Sequence, residues 1–118
     1  NAAKGDENCA FAIDAFVYSL LKTIGSYVAV LGGVDALIFT AGIGENASLV
    51  REKLCARLAY LGIELDGEKN RARPAPAEIS APQSKVKVYV IPANEELMIA
   101  SETFALLDEL AETEPLAV

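Results

Sequence analysis

Two short stretches of this chain combine residue types that could handle a phosphorylated ligand. In the first, Gly42 and Gly44 flank Ile43 and are followed at once by Glu45 and Asn46. Glycine lets a backbone approach a ligand closely and accept positive φ, and free N–H groups at a helix start favour anions. In the second, Asn94 precedes Glu95 and Glu96. One or two carboxylates are the usual protein share of a Mg²⁺ site, whose other ligands are waters and substrate phosphates. Neither stretch is decisive alone. The first is neither G-x-G-x-x-G nor a P-loop, because no Gly-Lys-Ser/Thr follows. A tight strand-to-helix turn with Asn46 as cap explains it more simply. An Asn94 cap with two carboxylates favouring the helix dipole is likewise the simpler account of the second.

Other chemistries are excluded. The 118 residues contain no histidine, so no Ser/His/Asp or Cys/His set can be assembled. Cys9 and Cys55 lack metal-ligand spacing and read as reduced cytosolic thiols rather than a disulfide framework. A formal charge of −7 without a basic cluster argues against a nucleic-acid partner. An apolar content of 53% is enough for a core and too high for a disordered chain. No apolar run reaches roughly 18 residues without polar interruption, so no membrane partner is expected, and no signal peptide is visible. Arg51, Lys53 and Arg57, with Glu52 among them, read as a solvated helix face. Lys69, Arg71 and Arg73 read as solubilising charges, and Tyr18, Tyr27 and Tyr60 as core or interface residues.

The elements that must carry the two stretches follow from hydrophobic spacing. Ile13, Phe16, Leu20, Ile24, Tyr27 and Leu31 recur at three- and four-residue steps, which predicts a helix from about Glu7 to Leu31. Phe11, Val17, Leu21 and Val28 widen its apolar face. Gly25 inside it calls for a close helix contact, and Gly32-Gly33 ends it. Val34–Thr40 is a nearly unbroken apolar run, as in a strand covered on both faces. It leads into the glycine stretch and then a helix from about Ala47 to Leu61, with Val50, Leu54, Leu58 and Leu61 as its stripe. Gly62 suits the left-handed position after that helix, with Ile63 packing beside it. Asp66–Ser84 is polar, carries Pro74, Pro76 and Pro82, and is long for an unstructured loop, so a short strand near Glu78–Ser80 is expected. Lys85–Ile91 is a clear strand, with Val86, Val88 and Val90 on one face. A helix from about Glu95 to Ala111 follows, striped by Leu97, Ala100, Phe104, Leu107 and Ala111, and the tail from Glu112 to Val118 is expected to fray.

The order helix, strand, helix, strand, helix defines an α/β chain with a mainly parallel sheet flanked by helices. Asn1-Ala2-Ala3 is set aside as candidate tag residue, and 4–118 is taken as one domain. In open α/β sheets ligands bind outside the carboxyl ends of the strands. Parallel strands would therefore bring both stretches to one edge.

At these stretches the chain resembles a known family. Val34–Asn46 (VDALIFTAGIGEN), continuing as ASLVREKL and LGIELD, is similar to the adenosine-motif region of acetate kinases. Ser84–Met98 (SKVKVYVIPANEELM) resembles their segment near the C-terminus, and the Ile24-Gly25-Ser26-Tyr27 stretch is also similar. Ala93 departs from the threonine usual before Asn-Glu-Glu. The resemblance covers nearly the whole chain and implies the C-terminal part of a ribonuclease H-like, actin-like ATPase domain. It implies a two-domain cytoplasmic kinase that transfers a phosphoryl group between ATP and acetate, giving acetyl phosphate and ADP. Gly42, Ile43, Gly44, Glu45 and Asn46 match the family's ATP-contacting loop, and Glu95 its Mg²⁺-associated glutamate. Homodimers formed through the C-terminal domain are also implied. The family's acetate pocket and catalytic residues, its arginines and histidine among them, lie upstream, so no catalytic residue is assigned here. Propionate and butyrate kinases share these loops. A non-enzymatic nucleotide-binding module and a dimerisation unit are the readings of other classes.

Overall fold

The computed structural model describes residues 7–72 and 76–113. The candidate tag residues, Arg73, Pro74 and the tail beyond Thr113 lie outside them. Helix α1 runs Glu7–Leu31. Its inner stripe is Ile13, Val17, Leu20, Leu21 and Ile24, with Val17 buried and the others partly buried against the core. Phe16, Tyr27 and Leu31, expected on that stripe, are exposed, as are Tyr18 and Tyr60. The apolar face is thus wider than the core it covers. Gly32 ends the helix at φ +73°, and the Gly33 N–H donates to the Val28 carbonyl at 3.0 Å. A Cβ on Gly25 would meet open space, so no close contact accounts for that glycine. Among the described residues α1 is long and apolar enough to cross a membrane, contrary to the run-length reading, although its inner stripe packs on the core.

Strand β1 (Ala36–Phe39) is covered on one face only, with Phe39 buried and Ile38 exposed. The expected loop after it is instead a short helix, α2 (Ala41–Asn46), followed by α3 (Ser48–Arg57) and a 3-10 turn at Ala59–Leu61. Asn46 is the end of α2 rather than the cap of α3. Its Nδ2 donates to the Gly42 carbonyl at 2.9 Å, and the N-cap of α3 is Ala47. Val50, Leu54 and Leu58 are buried as expected. Burying a leucine of this kind contributes roughly 2–3 kcal/mol. Gly62 sits at φ +85°, and Ile63 is buried beside it.

The polar stretch is more ordered than its composition implies. Asp66 caps a short helix, α4 (Gly67–Arg71), its Oδ1 accepting from the N–H groups of Glu68 and Lys69. Strand β2 (Ala77–Glu78) and a bridge between Leu65 and Ser80 follow. Strand β3 (Lys87–Val90) lies at the centre of the sheet in the order β1-β3-β2. It pairs in parallel with β1, Ala36 opposite Lys87 and Phe39 opposite Val90, and antiparallel with β2. The sheet is therefore small and mixed, and the chain is α/β. Val86, Val88 and Val90 point into the core together with Ile79, Leu54 and Leu58.

Helix α5 (Glu95–Thr113) starts at the expected place. Asn94 caps it, its Oδ1 accepting from the Leu97 N–H at 3.3 Å. The expected stripe does not bury: every residue from Glu95 to Leu110 is exposed. The radius of gyration is 20.0 Å, against about 13.5 Å for a compact domain of this length. The helix projects from the body instead of folding back onto it.

Candidate functional site

Parallel pairing of β1 and β3 sends both strands out of the sheet at the same edge, so Ala41–Asn46 and Pro92–Glu96 meet there. A cavity of about 440 Å³ opens between them, lined by Ala41, Gly42, Glu45, Ala93, Asn94, Glu95 and Glu96. One bond joins the two turns directly: the Ala93 N–H donates to Glu45 Oε1 at 2.9 Å. Gly42, Glu45 and Glu95 of the sequence-derived set therefore share one cleft. Ile43, Gly44 and Asn46 lie in the same helix without lining it.

The two glycines do different jobs. A Cβ on Gly42 would meet nothing within 4 Å, so this residue presents bare backbone to the cleft. A Cβ on Gly44 would lie 3.2 Å from the Phe39 carbonyl carbon, a tight approach to backbone, so packing of α2 onto β1 favours glycine there. Neither has the positive φ anticipated for this stretch. That conformation falls on Ala41, at φ +59°. A left-handed alanine costs roughly 1–2 kcal/mol, and such outliers persist where the surroundings impose them.

Arg51 is the residue that the sequence reading misplaced. It is 3% exposed, not solvated. Its Nη1 donates to the Gly44 and Glu45 carbonyls at 2.7 and 2.9 Å. Its Nε and Nη2 donate to Asn70 Oδ1 and to the Asn70 carbonyl, both at 2.7 Å. Asn70, 1% exposed, also donates from Nδ2 to the Ser48 carbonyl at 3.0 Å. The guanidinium thus ties α4 to the last turn of α2, where unpaired carbonyls favour a cation. Burial lowers its pKa, with an opposing contribution from Cys55, but a guanidinium stays charged at neutral pH. A sequence signal existed: Arg51 precedes Leu54, Cys55 and Leu58 by three, four and seven residues, which places it on the buried face. Lys53 and Arg57 behave as expected, Lys53 pairing with Asp14 at the surface. Burial pushes the Cys55 thiol up to about 12, so it stays protonated and unreactive. No disulfide joins it to Cys9.

The carboxylates of Glu45, Glu95 and Glu96 make the cleft acidic, and among the described residues no cation lines it. Among the described residues no group of three or more His, Cys, Asp or Glu could hold a metal unaided. Oxygen donors of this kind suit Mg²⁺, which keeps most of its waters and needs few protein ligands when phosphates complete its shell. A polyphosphate would enter such a cleft only with its charge already offset by a metal ion.

Residues 1–101 match the model of the Acetokinase family. The chain is 53% identical over 106 residues to the acetate kinase of Heliobacterium modesticaldum, covering 90% of this chain and 26% of that protein. Among solved structures, Porphyromonas gingivalis acetate kinase superposes with a TM-score of 0.78 at 42% identity, over 90% of this chain and 27% of that one. A propionate kinase from Francisella tularensis superposes with a TM-score of 0.76 at 42% identity, over 86% and 26%. The chain spans about a quarter of the length of these relatives.

Proposed function

We propose, because the chain belongs to the acetokinase family, that it is the C-terminal part of a kinase that moves the γ-phosphoryl group of ATP to acetate, giving acetyl phosphate and ADP. The observation that carries this reading is the convergence of Ala41–Asn46 and Pro92–Glu96 on one cleft. Phosphoryl transfer depends on positioning and on electrostatic stabilisation of the transferring group. This segment supplies the positioning half. Gly42 offers bare backbone on which a nucleotide can lie, and Ile43, Gly44, Glu45 and Asn46 form the rest of the short helix α2 that presents it. Glu95 holds Mg²⁺ directly or through water, and Glu96 beside it adds negative charge at the same helix start. Bound there, Mg²⁺ would supply the positive charge that offsets the phosphates.

No cation among the lining residues can clamp the phosphoryl group. We therefore expect residues 1–118 alone to show no turnover above a Glu95→Ala control, whereas the full-length protein phosphorylates acetate. Activity of the isolated segment, or a full-length protein inert toward every short-chain acid, would sink the reading. Similarity to a propionate kinase at the same TM-score level supports a longer acid as the second reading. Comparing kcat/KM for acetate, propionate and butyrate decides between them. The enzyme is cytoplasmic on this reading, and a homodimer. The outer face of α1, with Phe11, Tyr18, Tyr27, Val30 and Leu31 exposed, is the surface that subunits would bury. Sedimentation of the full-length protein as a monomer at high concentration would remove the dimer.

A further inference from the structure

The two turns of the cleft are not held together by a core. Every residue of α5 from Glu95 to Leu110 is exposed within this chain, so burial against the described residues does not fix the direction in which the helix leaves β3. That direction decides where the Glu95 and Glu96 carboxylates stand relative to Gly42. The residues before the helix therefore carry the constraint. Asn94 caps α5, and Ala93, immediately before it, gives its N–H to the carboxylate of Glu45, 48 positions earlier in the chain. Glu45 is itself fixed from behind. Its carbonyl accepts from Arg51, and Arg51 is locked to the buried Asn70. A continuous path of bonds thus runs from α4 through α3 and α2 to the start of α5.

We propose that Glu45 is a positioning residue whose carboxylate latches the Pro92–Glu96 turn to the Ala41–Asn46 turn, with Arg51 as the anchor of the latch. This inference rests on the kinase reading for its consequence, but not for its geometry. It assigns Glu45 Oε1 to the protein's own backbone rather than to a ligand. It also accounts for Ala93 as an adequate residue there: the latch uses its N–H, which any residue but proline supplies. A merely acidic role for Glu45 would need its charge; the latch needs only an acceptor oxygen.

The test uses the full-length protein as wild type, Glu45→Gln and Glu45→Ala. The first readout, without nucleotide or metal, is hydrogen exchange of the Ala93 amide. Loss of one hydrogen bond of this exposed kind should speed exchange about three- to tenfold in Glu45→Ala. Glu45→Gln, which keeps an acceptor, should stay close to wild type. The second readout is the Mg²⁺ concentration for half-maximal rate at fixed ATP. It should rise about three- to tenfold in Glu45→Ala while KM for the acid is unmoved, and Glu45→Gln should recover most of the loss. Unchanged Ala93 exchange in Glu45→Ala overturns the latch. So does a Glu45→Gln variant as impaired as Glu45→Ala, because the charge rather than the bond would then matter. If the wild type phosphorylates no acid, the kinase reading fails, while the exchange measurement still decides the latch.

Discussion

Replacing Arg51 with methionine should loosen the cleft from within. Methionine matches much of the arginine's length and would keep the apolar stem packed, so the change isolates the guanidinium. Four hydrogen bonds disappear, at 2.7, 2.7, 2.7 and 2.9 Å. The Gly44 and Glu45 carbonyls sit near the rim and can regain water. Asn70 cannot: it is 1% exposed, and both of its oxygens lose their donor. Stranding a buried acceptor costs about 1–3 kcal/mol, so two of them bring the local loss to about 3 kcal/mol. At 1.4 kcal/mol per factor of ten, protection against exchange should fall about a hundredfold. The amides to follow are Ala47, bonded to the Ile43 carbonyl at the end of α2, and Asn70, bonded to the Asp66 carbonyl in α4. Local exchange reads such openings even inside a larger protein. Arg51→Lys keeps the charge but not the planar fork, so it should fall between wild type and Arg51→Met. Protection of both amides within about threefold of wild type in Arg51→Met would refute the reasoning, since no anchoring could then be ascribed to the guanidinium.

The two glycines of α2 should separate in experiment. Gly44→Ala drives a methyl to 3.2 Å from the Phe39 backbone and should lower stability by about 1–3 kcal/mol, as overpacking does, seen as a lower melting temperature. Gly42→Ala meets open space and should leave melting unchanged while weakening ADP binding by calorimetry; a reversal of the two outcomes would undo the assignment of packing to one and ligand approach to the other. Cys55 should resist iodoacetamide at pH 8 in the native protein. Its folded pKa of about 12 lies above the ordinary 9.0, so between these values the native state holds the extra proton. The stability from this group is therefore full below about pH 9 and lost as pH rises toward 12. Cys55→Ser should flatten that alkaline loss, read from denaturation midpoints across the range.

The parts of this chain legible in sequence were those where periodicity and burial agree. α1 and β3 follow from spacing, and parallel pairing of β1 with β3 then places both stretches on one rim. The failures share a cause. Ala41–Asn46 looked like a loop because glycines suggest positive φ, yet the left-handed residue is Ala41 and the glycines continue a helix. Arg51 looked solvated because charge usually means surface. Its burial depends on Asn70, nineteen residues on in a polar stretch where the sequence offers only a short strand near Glu78–Ser80, and no local pattern encodes that pairing. The stripe of α5 was read correctly as apolar but not as bare, because periodicity reports a face and not what covers it. Ile38 on β1 teaches the same lesson.

Ala41 has a consequence of its own. A glycine at the joint between β1 and α2 would accept either hand of the backbone and let the rim swing. The methyl of alanine removes most of the alternatives, so a bend that is costly to make is also difficult to change. Stiffness at the hinge, rather than bulk beneath it, then keeps Gly42 facing the same way whether or not anything lies against it. An Ala41→Gly substitution would trade that fixed aim for a looser mouth.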